Sequence, residues 1–163
     1  MSIKPLKPVI VIGLGNPLMT DEGIGTALVD ELTKLAAAGK LPSENVDYLD
    51  GGCGGMYLLH SIAERKKVIL IDCAKMGLEP GAICRFTPDE VNTVKQMTHL
   101  SLHEVDILRV IELAKLLDQC PDEIVIFGIQ PSAIAPRIGL TASIEARLTE
   151  YVAAISREIE TCQ

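Results

Sequence analysis

Short runs of consecutive apolar, mostly β-branched residues alternate along this chain with longer stretches whose apolar positions recur every three or four residues. Val9, Ile10, Val11 and Ile12 follow one another without a polar break, the pattern of a strand covered on both faces. Val68, Ile69, Leu70 and Ile71 repeat it and run into Asp72. Shorter runs at 46–49, 82–86 and 123–128 predict three more strands, the one at 82–86 suited to a sheet edge. Between the strands, Ile24, Leu28, Leu32 and Leu35 mark one side of a helix that Gly39 and Pro42 end. Residues 56–63 predict a short helix. Ser101 and Glu104 have the spacing of a capping box, and Val105, Leu108, Ile111 and Leu116 trace the helix it would open. Gly139, Leu140 and Thr141 lead into a C-terminal helix with Ile144, Leu148, Tyr151, Val152, Ile155 and Ile159 on its apolar side. This alternation predicts an α/β fold of three layers: a twisted, mostly parallel five-stranded sheet with helices on both faces, joined by right-handed crossovers. No repeat, linker or low-complexity segment interrupts it, so residues 1–163 are expected to form a single domain.

Composition narrows the partners. With 48% hydrophobic residues over 163 positions, a chain of this size buries roughly 70% of its unfolded surface and needs no disulfide or structural metal to build a core. Asp and Glu number 22 against 15 Lys and Arg, a net charge of -7 with no basic run, which argues against nucleic acid and anionic membrane as partners. The apolar runs are far shorter than the ~20 residues of a membrane span. The first eight residues carry two lysines and no apolar core of a signal peptide, so a cytosolic location is expected. Cysteines at 53, 73, 84, 120 and 162 form no C-x-x-C pair, and they read mainly as small buried hydrophobes in a reducing compartment.

In sheets of this kind ligands bind outside the carboxyl ends of the strands. Asn16, Asp21 and Glu22 follow the first strand, Asp50, Gly51 and Gly52 the second, Asp72 ends the third and Gln130 follows the fifth. A carboxylate as deep as Asp72 is costly unless paired, hydrogen-bonded or bound to a cation, and capping a turn is its alternative role. Glu22 is expected in the first turn of a helix, where an acid also complements the dipole. His103 would be the second helical residue after Ser101, a place that favours the neutral imidazole able to bind a metal or take a proton. His99 has the i, i+4 spacing to His103 but precedes the helix, and His60 reads as a packed or surface residue. Glu22, Asp72 and His103 would meet at one rim, as an open-coordinated divalent site or as an acid-base site; the residue types accept both. Asn16 and Asp21 either orient those groups or close their loop. The glycines do not make a nucleotide site: Leu18 stands where a G-x-G-x-x-G fingerprint starting at Gly13 needs its third glycine, and no P-loop is present.

The loop 13–25, Gly-Leu-Gly-Asn-Pro-Leu-Met-Thr-Asp-Glu-Gly-Ile-Gly, resembles the signature of the nickel-iron hydrogenase maturation endopeptidases. Asp50-Gly51-Gly52 is similar to the family's D-G-G segment, residues 68–72 to its second acidic position, Ser101-Leu102-His103 to its histidine position, and 128–131 and 138–141 to its C-terminal pattern. The resemblance spans about residues 8–160. It implies a cytosolic endopeptidase that removes a short C-terminal extension from a hydrogenase large-subunit precursor after nickel insertion. It implies nickel held by Glu22, Asp72 and His103, the ion arriving with the substrate rather than bound permanently. The glycine-rich loop 50–55 would then give an extended peptide room against backbone donors. A monomer is expected for the free protein. Two rival classes are a non-catalytic, nickel-dependent checkpoint protein for the same precursor and a small-molecule hydrolase or nucleotide-binding protein on the same layout.

Overall fold

The computed structural model describes residues 5–94 and 102–162, apart from the side chains of 92–94 and 102–105. Its five strands are β1 (Val9–Gly13), β2 (Val46–Asp50), β3 (Lys67–Cys73), β4 (Ile83–Phe86) and β5 (Glu123–Ile129). They lie in the order β2-β1-β3-β5-β4. All neighbours are parallel except β4, which pairs antiparallel with β5 at the edge. The helices are α1 (Ile24–Ala37), α2 (Leu58–Ile62), α3 (Pro88–Val94), α4 (Leu102–Leu116), α5 (Ala142–Glu145) and α6 (Leu148–Glu160). The α/β fold with a mostly parallel sheet is therefore the one the sequence pattern predicts.

Strand periodicity divides the core into two layers. Val9 and Val11, Ile69 and Ile71, and Val125 and Phe127 pack with α1 and α6 on one face. Ile10 and Ile12, Val68 and Leu70, and Ile124 and Ile126 pack with α2 and α4 on the other. This is the two-residue alternation of a pleated sheet expressed in strands that are apolar at every position. The two helical layers bury the apolar sides the sequence shows: Ile24, Leu28 and Leu32 of α1, and Tyr151, Ile155 and Ile159 of α6.

Several boundaries differ from expectation. The segment expected as one C-terminal helix is two, α5 and α6, with Ala146 and Arg147 between them. The helix expected over 56–63 is confined to α2, because Gly54 and Gly55 hold positive φ just before it and Ala63 leaves helical geometry at ψ 139°. Helix α3 has no counterpart in the periodicity. Leu116, expected on the apolar side of α4, is 81% exposed, since it is the helix's last residue and the chain turns away there toward β5. Of the cysteines only Cys73 is buried; Cys53 is exposed and the other three are half-buried. Among the described residues no helix is long and apolar enough to cross a membrane.

Candidate active site

The carboxyl ends of β1, β2 and β3 are sewn together by main-chain bonds. Leu14 N donates to Ile71 O at 2.8 Å, Gly51 N to Gly13 O at 2.8 Å and Gly15 N to Gly52 O at 2.7 Å. Only glycine permits this approach. A Cβ on Gly15, whose φ is +147°, would sit 2.0 Å from Glu22 O, and one on Gly25 would sit 2.1 Å from Leu14 O and 2.4 Å from Ile71 O. The glycines of loop 13–25 thus let the start of α1 rest directly on the strand ends, in place of a phosphate cradle.

Glu22 does not lie in α1. It belongs to a separate 3-10 turn, Thr20–Gly23, that precedes the helix, where Thr20 takes a positive φ of 47° and Gly23 lets the chain pass against Pro17. The correction matters for placement, because this turn packs against β3. Glu22 is thereby half-buried at the strand end that carries Asp72.

Asp72 is 3% exposed. Its Oδ1 accepts the Cys73 N–H at 2.8 Å. Strand parity sets Asp72 on the same face as Val68 and Leu70, toward α2 and α4. Its register partner on β5 is Gly128, which adds no side chain to that face. Helix α4 carries the chain back to the start of β5, so its first turn, with His103 at the second position, belongs to the carboxyl-end side of the sheet. The side chain of His103 lies outside the described residues, as do His99 and the expected cap Ser101. Among the described residues no three of His, Cys, Asp and Glu gather as a metal-holding group. His60 is exposed on α2.

Asp21, beside Glu22, is fully buried and accepts four donors. Ser132 N and Ala133 N reach its Oδ2 at 2.9 and 3.0 Å, Thr141 N its Oδ1 at 2.7 Å, and the Thr141 hydroxyl both oxygens at 2.9 and 2.8 Å. The carboxylate clasps the long segment after β5 to the loop after β1. Thr20 adds to the clasp, its hydroxyl donating to Ala133 O at 2.7 Å and accepting from Ala135 N at 3.0 Å. Asn16 closes its own turn through Leu18 N, 3.0 Å from Oδ1. Asp50 does the same, accepting from Gly52 N at 2.9 Å. Gly51 is buried against Ile12 and Leu14, with no room for a Cβ.

Two further residues brace this end. Gln130 Oε1 accepts from Met76 N at 2.7 Å and Leu78 N at 3.3 Å, which ties the loop after β3 to the end of β5. The Tyr57 hydroxyl donates to Gly51 O; burial, with Asp50 and Cys53 nearby, pushes its pKa above the ordinary value and keeps that proton in place. Gln130 has a sequence signal, its position just past a strand. Tyr57 has none.

Comparison with known proteins agrees with this layout. The family model described as hydrogenase maturation protease matches residues 28–158, a span that holds Asp50, Asp72 and His103. The chain is 34% identical to the hydrogenase expression/formation protein HupD of Bradyrhizobium diazoefficiens, over 91% of this chain and 82% of that protein. It is 32% identical to the hydrogenase 2 maturation protease of Escherichia coli, over 92% and 91%. The solved structure of the hydrogenase maturating endopeptidase HybD from E. coli superposes with a TM-score of 0.83 at 28% identity, covering 94% of this chain and 93% of that one. Taken with the sheet order and the acidic strand ends, these matches establish that the chain belongs to the hydrogenase maturation protease family.

Proposed function

We propose that this protein is an endopeptidase that removes the C-terminal extension of a hydrogenase large-subunit precursor once nickel has been inserted, acting as a monomer in the cytosol. One observation carries the reading: the Thr20–Gly23 turn, which carries Glu22, packs against β3, at whose end Asp72 is buried. Two carboxylates from separate elements thus share the end of the sheet where α/β proteins bind ligands.

Glu22, Asp72 and His103 are the residues that contact nickel carried in the precursor. Carboxylate oxygens and a neutral imidazole suit a borderline divalent ion, and Asp72, its Oδ1 anchored on Cys73 N–H, presents a carboxylate of defined plane. Nickel supplies positive charge and open coordination positions, so a precursor that lacks it presents nothing for two acids to bind. The same carboxylates are the acid-base groups at the scissile bond; Glu22, only half-buried, is the one with access to water. Asn16, Asp21 and Asp50 support them by holding the loops in register, and Gly51 and Gly52 leave main chain uncovered beside the peptide.

The test is to incubate the purified protein with nickel-loaded and nickel-free precursors and read the substrate by intact mass spectrometry. Loss of a C-terminal peptide from the loaded form alone is the expected result. Glu22→Gln, Asp72→Asn and His103→Ala should each abolish it. Binding of loaded precursor without any mass change would replace the protease by a non-cutting checkpoint protein.

A further inference from the structure

Large apolar side chains in solvent are unevenly distributed over this molecule. Leu18, Met56, Tyr57, Leu78 and Ile138 are between 46% and 78% exposed, and all five sit on loops at the carboxyl ends of the strands. Leu18 follows β1, Met56 and Tyr57 follow β2, Leu78 follows β3 and Ile138 follows β5. The other exposed large apolar residues described belong to the opposite end. Singly exposed leucines are ordinary, whereas a concentration around one site marks a contact surface.

The loops that carry these residues are tied down by hydrogen bonds. Leu18 N is held by Asn16 Oδ1 at 3.0 Å, Tyr57 by its bond to Gly51 O, and Leu78 N by Gln130 Oε1 at 3.3 Å. Ile138 follows Arg137, which bridges Met19 and accepts from Thr20 N at 2.9 Å. Their side chains are exposed although their loops are tied down, so exposure here is not a by-product of loose chain.

Resting on the function proposed above, we propose that these residues seat the substrate as an extended peptide laid across the strand ends, with apolar side chains on both sides of the scissile bond. The sheet order carries the argument. Glu22 and Asp72 belong to the ends of β1 and β3, the inner strands, while Met56 and Tyr57 flank them beyond β2, Leu78 lies toward β5 through its bond to Gln130, and Ile138 sits beside Met19 over the loop after β1. With strands ~4.8 Å apart, β2 to β5 spans ~14 Å, the length of about four residues of extended chain. An extended segment crossing that distance passes over the carboxylates midway and reaches an apolar anchor at each end. Charge selects the segment further: Glu22, Asp50 and Asp72 on this end of a chain of net charge -7 disfavour an acidic peptide and accept a neutral or basic one.

The test is steady-state cleavage of the nickel-loaded precursor by Leu18→Ser, Met56→Ser, Leu78→Ser, Ile138→Ser and the Met56→Ser/Leu78→Ser pair. Each single change should raise KM about three- to tenfold, with kcat falling less than twofold, and the pair should multiply the two effects. Because these side chains are exposed, melting temperatures should stay within a few degrees. Serine in place of the precursor's apolar residues within four positions of the cut should raise KM for the unaltered protein and have little effect with the pair variant. An unchanged KM for the pair overturns the proposal. So does an equal penalty on both precursors, which would set these loops against the folded body of the substrate. If no precursor is cleaved at all, the function above fails by itself; the dissociation constant for uncut precursor then decides the docking surface, raised in the pair variant if it stands and unchanged if it falls.

Discussion

Glu158 and Asp21 are both carboxylates withdrawn from water, and the two ends of the sheet hold them by different means. Near the amino ends, Glu158 of α6 takes Lys67 Nζ at 2.7 Å and Arg85 Nε and NH2 at 2.8 and 3.0 Å, while Lys67 also reaches Glu123 at 3.2 Å. The Arg85 guanidinium, helped by Lys67 and opposed by burial, brings the Glu158 pKa down to about 2. A second set works alike: Arg65, nearly buried, meets Asp47 at 2.6 Å, and Lys7 meets it at 3.3 Å. At the carboxyl ends Asp21 is held by three backbone amides and a hydroxyl, and Asp72 has a backbone amide on Oδ1. The contrast is instructive. Cations cancel the charge they bind and leave a structural brace, whereas amides fix a carboxylate in place without supplying a counter-charge.

The sharpest way to break this contrast is at the site. Glu22→Gln or Asp72→Asn should lower precursor cleavage by about a hundredfold or more while the melting temperature stays within a few degrees, read by mass spectrometry and thermal unfolding. A large loss of stability with both would make these acids structural like Glu158. Next comes Asp21→Asn, which puts an NH2 group among donors that all need an acceptor. It should cost about 2–4 kcal/mol and about 5–15 °C in melting temperature, measured by urea and thermal unfolding. Glu158→Gln should cost less, about 1–3 kcal/mol, because Arg85 remains half exposed to water. The sign with pH follows from the lowered pKa. Glu158 stabilises the fold fully above the ordinary carboxylate pKa of about 4.3, and that contribution is lost as pH falls toward about 2. Acid titration of stability should therefore be shallower over that window in the Gln variant. Lys34→Ala is the smallest expected change, under about 0.5 kcal/mol, since Lys34 and its partners Asp30 and Glu31 all face solvent.

Much of the layout is legible in the sequence. The inner strands β1, β3 and β5 stand where the continuous apolar runs lie, because a strand covered on both faces must be apolar at nearly every position, while the edge strands β2 and β4 carry Asp47 and Arg85 among their apolar residues. Asp72, Asp50 and Gln130 were identifiable as strand-end residues for the same reason. The turn around Glu22 was not, since a 3-10 turn and the first turn of a helix share the same short-range composition, and Gly23 and the unusual φ of Thr20 separate them only in three dimensions. The cysteines misled because their hydrophobic character says little about depth: Cys53 lies on a glycine-rich surface loop.

Local pattern alone thus carried the element types, the two-faced burial of the sheet and the acidic character of one of its ends, since periods of 2 and 3.6 residues and strand-end placement are written in short stretches of chain. The partners of those acids were decided by packing. Asp21 meets donors 111 to 120 residues away, and Glu158 meets Arg85 across 73. Such pairings depend on the strand order β2-β1-β3-β5-β4 and on how closely α1 can settle upon it. Close packing of whole layers sets those distances, and no local repeat encodes them.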